Sequence, residues 1–327
     1  MGVMTDRNQI ELSTSSGSQS ADDALRGLIG VFELHFPGRI RAYYAEGSYA
    51  DRTAITSSDI DLVLIFKDHF VDGEAAAARQ LGVYCASLSA FELDLEIIDE
   101  RQATRNAFPT LKLASVLLYG EDIRDRLALV PIAEWTRDRM HAAYWLIVQV
   151  FNRLPVVRYP LGYPRLDQAF LGYDQRMLRL PDGTQVRCTR DLVRVTGWAA
   201  TALIALKAGT YVVRKRDCYQ RYQELIGDQW SDLLREIYQR CKQEWSYRIP
   251  ASPADQRALR AMCERTLEFE NYFMQVFKPF VLGELRSGGD DAKGAAVWLL
   301  GQIPYDNQAI TRALHKLSAS TKQEHLL

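Results

Sequence analysis

In the run Ser58-Asp59-Ile60-Asp61-Leu62-Val63-Leu64-Ile65-Phe66, two carboxylates stand one residue apart in a segment with the composition of a β-strand. A strand's period of two puts Asp59 and Asp61 on one face and Ile60, Leu62 and Leu64 on the other. Like charges this close raise each other's pKa, which a fold tolerates where a cation or a water-filled cleft compensates. Magnesium suits the pair: it is a hard ion that takes one or two carboxylates and completes its shell with water and substrate phosphate. A nucleoside triphosphate would supply that phosphate. A lone D-x-D also marks solvated strand ends, so its surroundings carry the weight. Upstream, Gly47-Ser48 follows a short apolar run, where glycine permits close backbone approach and serine can hold a phosphate oxygen. Downstream, Phe91-Glu92-Leu93-Asp94-Leu95-Glu96-Ile97 places Glu92, Asp94 and Glu96 on one face of another strand.

The elements that must carry these residues follow from hydrophobic spacing. Leu25, Leu28, Ile29 and Phe32 recur at helical intervals after a capping-box-like Ser20, and that helix should end before Pro37-Gly38. Strands are expected over 40–45, 59–66 and 91–98, with an alanine-rich helix between the last two. Helical patterns dominate afterwards, at 135–154 and 189–208, and in a long helix opened by Ser252-Pro253-Ala254-Asp255 and closed by Ser287-Gly288-Gly289. Between the first two lies a loop region, 155–183, rich in Pro, Gly and Tyr. The fold class read from this order is α+β, a small mixed sheet flanked by helices followed by an all-α region. The expected divisions are a disordered serine-rich leader over 1–20, a catalytic domain over 21–125, a helical domain over 126–285 and a helical tail over 286–327.

Composition sets outer limits. A chain of 327 residues is long enough for two domains with separate cores. The hydrophobic share of 47% is ordinary, and no apolar run approaches the roughly 20 residues of a membrane span. A soluble, cytoplasmic protein is expected, with no membrane partner. A formal net charge of -1 disfavours broad nucleic-acid binding. The five cysteines are widely spaced with no C-x-x-C pair, and the five histidines are scattered, so neither zinc nor a disulfide framework is indicated.

The stretch G-S-Y-A-D-R-T-A-I-T-S-S-D-I-D-L-V-L-I, with Leu93-Asp94-Leu95 beyond it, resembles the signature of the DNA polymerase beta-like nucleotidyltransferase superfamily. The usual glycine a few residues past G-S is replaced by the region Asp51-Arg52-Thr53. More loosely, W-A-A-T-A-L-I-A-L-K-A-G-T-Y-V-V-R-K-R-D resembles the helical domain of aminoglycoside adenylyltransferases of the streptomycin/spectinomycin-modifying type. The resemblance implies that an acceptor hydroxyl attacks the α-phosphorus of a nucleoside triphosphate, ATP being expected, and displaces pyrophosphate. It also implies roles. Asp59, Asp61 and Asp94 would hold Mg2+, Gly47 and Ser48 the terminal phosphates, and Lys215, flanked by Arg214 and Arg216, the leaving pyrophosphate. The base is Asp94 or Glu92: Asp94 matches the superfamily's third acid, Glu92 the catalytic glutamate of the streptomycin type.

The acceptor is less legible. A small hydroxylated molecule, an aminoglycoside among the candidates, would need an acidic and aromatic setting, which Glu224, Asp228, Asp232, Glu236 and Glu244 could supply. Their spacing of four fits a solvated helix face equally. The tail A-A-V-W-L-L-G-Q-I-P-Y-D-N-Q-A-I-T-R-A-L-H-K-L resembles one HEAT-like unit, read either as a cap on the helical domain or as a docking surface for a protein partner. With a docking tail, the chain would be a protein-adenylylating or antitoxin-type nucleotidyltransferase. A non-catalytic nucleotide-binding module is the remaining alternative.

Overall fold

The computed structural model describes residues 10–324 apart from 56–57, 106, 154–155 and 181–182. It divides into two compact units, one formed by the described residues up to Pro131 together with Val213–Lys215, the other by Ile132–Val212 and Arg216 onward. The architecture is α+β: a four-stranded mixed sheet flanked by helices in the first unit, a helical second unit. None of the helices among the described residues is long and apolar enough to cross a membrane.

In the first unit, α1 (Gln19–His35) precedes β1 (Ile40–Glu46), which runs directly into the single turn α2 (Gly47–Ala50). Then come β2 (Ile60–Phe66), α3 (Glu74–Leu88), β3 (Leu93–Asp99), the short α4 (Glu100–Arg105) and α5 (Pro109–Leu113), and β4 (Val116–Gly120). The strand order is β3-β2-β1-β4; β1 is antiparallel to β2 and β4, and β2 is parallel to β3. The central strand β2 is buried on both faces. Ile60, Leu62, Leu64 and Phe66 join Leu25, Ile29 and Phe32 of α1 and Ala78 of α3, while Val63 and Ile65 meet Ala103 and Leu111 on the other side. A one-residue slip of β2 would turn Asp61 into the first of these cores, so burial of the alternate apolar set pins the register. The bidentate pair of Arg39 with Glu74, at 2.8 and 2.9 Å, ties the start of β1 to the start of α3.

Several expectations are corrected here. The serine-rich stretch expected as a disordered leader lies, for residues 1–9, outside the described residues; the remainder is ordered. Ser13 N–H donates to the Leu118 carbonyl, and Ser15 Oγ and Ser16 N–H both donate to Asp22. Ser18, not Ser20, caps α1, accepting from Ala21 N–H. Asp59 and Glu92 stand just before their strands, since the ladder begins at Ile60 and Leu93. The first unit runs to Pro131, with Ile123 and Leu127 in its core.

The second unit contains α6 (Ile132–Gln149), a short hairpin of β5 (Met177–Arg179) and β6 (Gln185–Arg187), α7 (Arg190–Ala208), α8 (Cys218–Leu225) and α9 (Ser231–Glu236). A π-helical turn, Ile237–Glu244, extends α9; the long α10 (Pro253–Ser287), α11 (Asp290–Gln302) and α12 (Gln308–Glu324) follow. Helix α6 stops short of 154, and the hairpin occupies part of the expected loop region. Ser252 caps α10 by accepting from Asp255 N–H, and Gly209 closes α7 in the left-handed region. Leu299, Leu300, Ile303, Ile310 and Ala313 of the tail join the same core as α6, α7 and α10, so the tail is built into the helical unit instead of standing apart from it. Deep in this core Arg153 pairs with Glu270 at 2.6 Å, and Tyr173 O–H donates to the same carboxylate at 2.7 Å.

Within the Asp51-Arg52-Thr53 region, Arg52 adopts φ +55. The left-handed region crowds a Cβ against its own carbonyl at a cost of roughly 1–2 kcal/mol, which glycine avoids. Arg52→Gly is expected to stabilise the chain by about 0.5–1 kcal/mol, less than the full relief because glycine also frees the unfolded chain. A thermal melt checks this: a fall in midpoint would show the turn to be unstrained.

Candidate active site

The carboxylates meet where β1, β2 and β3 lie side by side. Glu46 is opposite Asp61 in the antiparallel pair, and Asp61 is opposite Asp94 in the parallel pair. Cross-strand partners share a face, so Glu46, Asp61 and Asp94 form a row across three strands, with Glu96 two residues farther along β3 on the same face. Adjacent strands are about 4.8 Å apart. Unit charges at that spacing repel by about 3 kcal/mol per pair at an effective dielectric near 20.

The effect is visible at Glu46, whose carboxyl is pushed up to about 8 from an ordinary 4.5. Loss of water around it is the largest cause, followed by the charges of Glu96, Asp61 and, more weakly, Asp94; a hydrogen bond from Thr110 opposes the shift. Glu96 is also raised, first by partial withdrawal from water and second by Asp94, although its side chain as a whole keeps an exposed surface. Asp59, two residues before Asp61, has its charge near α2 as well, where it helps to raise the phenol of buried Tyr49.

Gly47 supplies the other half of the site. It takes φ +63, and a Cβ built there would stand 2.1 Å from Asp61 Oδ2. Only a residue without a side chain lets the Asp61 carboxylate lie against this backbone. The turn that follows is fixed by Asp51 N–H to the Gly47 carbonyl at 3.0 Å and Thr53 N–H to the Ser48 carbonyl at 2.8 Å. Ser48 is partly buried at the head of this turn. Arg214 Nε approaches Asp51 Oδ1 at 2.7 Å, so a guanidinium of the Arg214-Lys215-Arg216 run is anchored beside the turn. Lys215 itself is exposed at the start of a 3₁₀ turn.

The donor set is all oxygen, which fits a hard divalent cation and excludes a soft one. Among the described residues no group of three or more His, Cys, Asp or Glu side chains is placed to hold a metal ion.

Sequence periodicity puts Asp61, Asp94 and Glu96 on strand faces but says nothing of Glu46. The strand pattern ends at Ala45, and Glu46 gains its acidic neighbours only across the sheet. Its adjacency to Gly47-Ser48 was the available signal. The acids proposed for the acceptor are engaged locally: Glu224 with Arg221, Asp232 with Arg235, and Glu236 with Arg265 and Arg240. Asp228 accepts from the Tyr222 and Tyr272 hydroxyls and from Trp230 N–H.

A carboxyl whose folded pKa exceeds its unfolded value holds an extra proton in the folded state. Stability is therefore lost as pH rises from about 4.5 to about 8. Glu46→Gln should melt higher than the parent at pH 9 by a few degrees, on the order of 1–2 kcal/mol after allowing for solvent access, and the gap should close towards pH 4.5. Equal midpoints at pH 9 would remove the repulsion inferred here. Gly47→Ala is expected to lower the melting midpoint by about 1–3 kcal/mol equivalent, through the forced φ and the displaced Asp61 carboxylate; an unchanged midpoint would contradict the close approach.

No protein-family model matches the sequence, and the curated proteins contain no match to it. Among solved structures, the chain is similar to spectinomycin adenyltransferase AAD(9) from Enterococcus faecialis, crystallised with ATP and spectinomycin, with a TM-score of 0.45 and 11% sequence identity over 76% of this chain and 98% of that one.

Proposed function

We propose that this chain is a magnesium-dependent nucleotidyltransferase that moves a nucleoside monophosphate, AMP from ATP, to a hydroxyl of a small-molecule acceptor. The observation that carries the reading is the row Glu46, Asp61 and Asp94, with Gly47 shaped to receive the Asp61 carboxylate. A carboxylate row beside a glycine-serine turn is what metal-assisted transfer of a phosphoryl group requires: anionic ligands next to a backbone that phosphate can approach closely.

Asp59 and Asp61 would hold Mg2+, which when bound neutralises charge on the phosphate oxygens, with Asp94 as third ligand or as the base. Gly47 leaves room at the backbone, and Ser48 would donate its hydroxyl to a terminal phosphate. The Asp51 carboxylate keeps Arg214 beside the turn, leaving the exposed Lys215 as the cation for the leaving pyrophosphate. In the transfer the acceptor oxygen forms a bond to the α-phosphorus as the bond to the bridging oxygen breaks, and pyrophosphate departs with that electron pair. The acceptor's proton passes to Asp94, or to Glu92 as second choice. Glu46, whose carboxyl is pushed up to about 8, would hold a proton while the row lacks a compensating charge, and the carboxyl of Glu96 is raised in the same direction.

Incubation with α-labelled ATP, Mg2+ and a panel of hydroxylated small molecules, aminoglycosides included, should give label transfer with matching pyrophosphate release. Asp61→Asn and Asp94→Asn are each expected to lower turnover by about 100-fold or more. Neither should lower the melting midpoint, because each removes repulsion from the row. Full turnover in both variants would overturn the assignment, and failure of all four triphosphates to bind by calorimetry would overturn the function.

A further inference from the structure

Helices α6 and α7 of the second unit place a cation in an unusual setting. Trp135 and Arg139 stand one helical turn apart on α6, so their side chains share a face. The Arg139 guanidinium carbon lies 4.2 Å from the ring centroid of Trp135 and 4.4 Å from that of Trp198 on α7. Tyr211 leans on Trp135 with ring centroids 6.1 Å apart. Trp135 is 2% exposed, and Trp198 and Arg139 are partly buried.

Stacking satisfies the faces of a guanidinium but none of its five in-plane N–H donors. Arg139 forms no ion pair with any carboxylate among the described residues, and its Nε is shut away from water without an acceptor. The indole Nε1 of Trp135 is likewise buried without an acceptor. Buried guanidinium groups are ordinarily matched by carboxylates, as Arg153 is by Glu270 in the same unit. Among the described residues Asp138 is the ionisable group whose charge registers at Arg139; it lies beyond ion-pair distance, and burial pushes its own carboxyl up, weakening it as a counter-ion. Burial also pulls the Arg139 guanidinium down from its ordinary value. The site thus has a held cation, flat aromatic walls and donors in need of acceptors.

We propose that Arg139, stacked on Trp135 and Trp198, is the receptor for an oxyanion group, a carboxylate or a phosphate, on a small molecule bound by the helical unit. The planar fork of the guanidinium matches two oxygens of such a group, and the indoles fix its plane before the ligand arrives. This charge is the opposite of the one a polycationic acceptor would seek. The inference stands whether or not the chain transfers nucleotides, because it concerns binding to residues of one unit alone.

The test titrates the full chain with sodium malonate and, separately, inorganic phosphate, at constant ionic strength set by chloride, reading indole fluorescence and heat. One or both probes should saturate, and the one that does names the source of the oxyanion. Arg139→Met should weaken binding at least tenfold, and Arg139→Lys, which keeps the charge but not the fork, should be weakened nearly as much. To keep the test independent of how the variants fold, the wild-type chain is also treated with an arginine-selective dicarbonyl and mapped by mass spectrometry, where the bound probe should slow modification of Arg139 at least fivefold. No saturation by either probe at 10 mM, equal binding by the wild-type and Met chains, or no protection of Arg139 would each overturn the proposal. Complete displacement of the probe by ATP would also overturn it, reassigning the guanidinium to nucleotide phosphates.

Discussion

The approach of the Asp61 carboxylate to the backbone at Gly47 is the contact around which the first unit is arranged. A Cβ at Gly47 would occupy the space of Asp61 Oδ2, so β1 must end, and α2 begin, on a residue that has none and can turn into the left-handed region. The antiparallel register then places Glu46 opposite Asp61, and the parallel register of β2 with β3 brings Asp94 alongside. None of these acids chooses its place. The alternate residues Leu62, Leu64 and Phe66 are fixed in one core and Val63 and Ile65 in the other, and the carboxylates go where that packing sends them.

A row of acids held by packing stores electrostatic work, and a proton relieves part of it: the carboxyl of Glu46, pushed up to about 8, marks where it would sit. The same groups destabilise the fold as pH rises, while the apolar faces of β2 hold the geometry fixed.

The helical unit handles charge in two ways. Arg153, Glu270 and Tyr173 form a closed group, in which cation, anion and hydroxyl answer one another deep among apolar side chains. Such a group specifies packing more than it adds stability, since each ion loses its water. Arg139 differs in its partner: its faces are covered by two indoles, and no carboxylate among the described residues pairs with it as Glu270 does with Arg153. One unit thus holds both a paired and a stacked guanidinium.

The sequence by itself determined what depends on neighbours along the chain. The parity of Asp61, Asp94 and Glu96 follows from strand alternation, the start of α10 from Ser252-Pro253, and the end of α7 from Gly209, because spacing and capping act within a few residues. The α+β order was legible for the same reason. Tertiary structure alone decided what depends on pairing. Glu46 matters through residues 15, 48 and 50 positions away, at Asp61, Asp94 and Glu96, a distance the strand ladder closes and no local pattern announces. The serine-rich segment reads as a leader until Asp22 gathers its donors. Trp198 and Arg139 meet only because α6 packs on α7. Periodicity says which way a side chain points, but a charge or a ring acquires its chemistry from what stands opposite, and that is set by which surfaces the whole chain buries together.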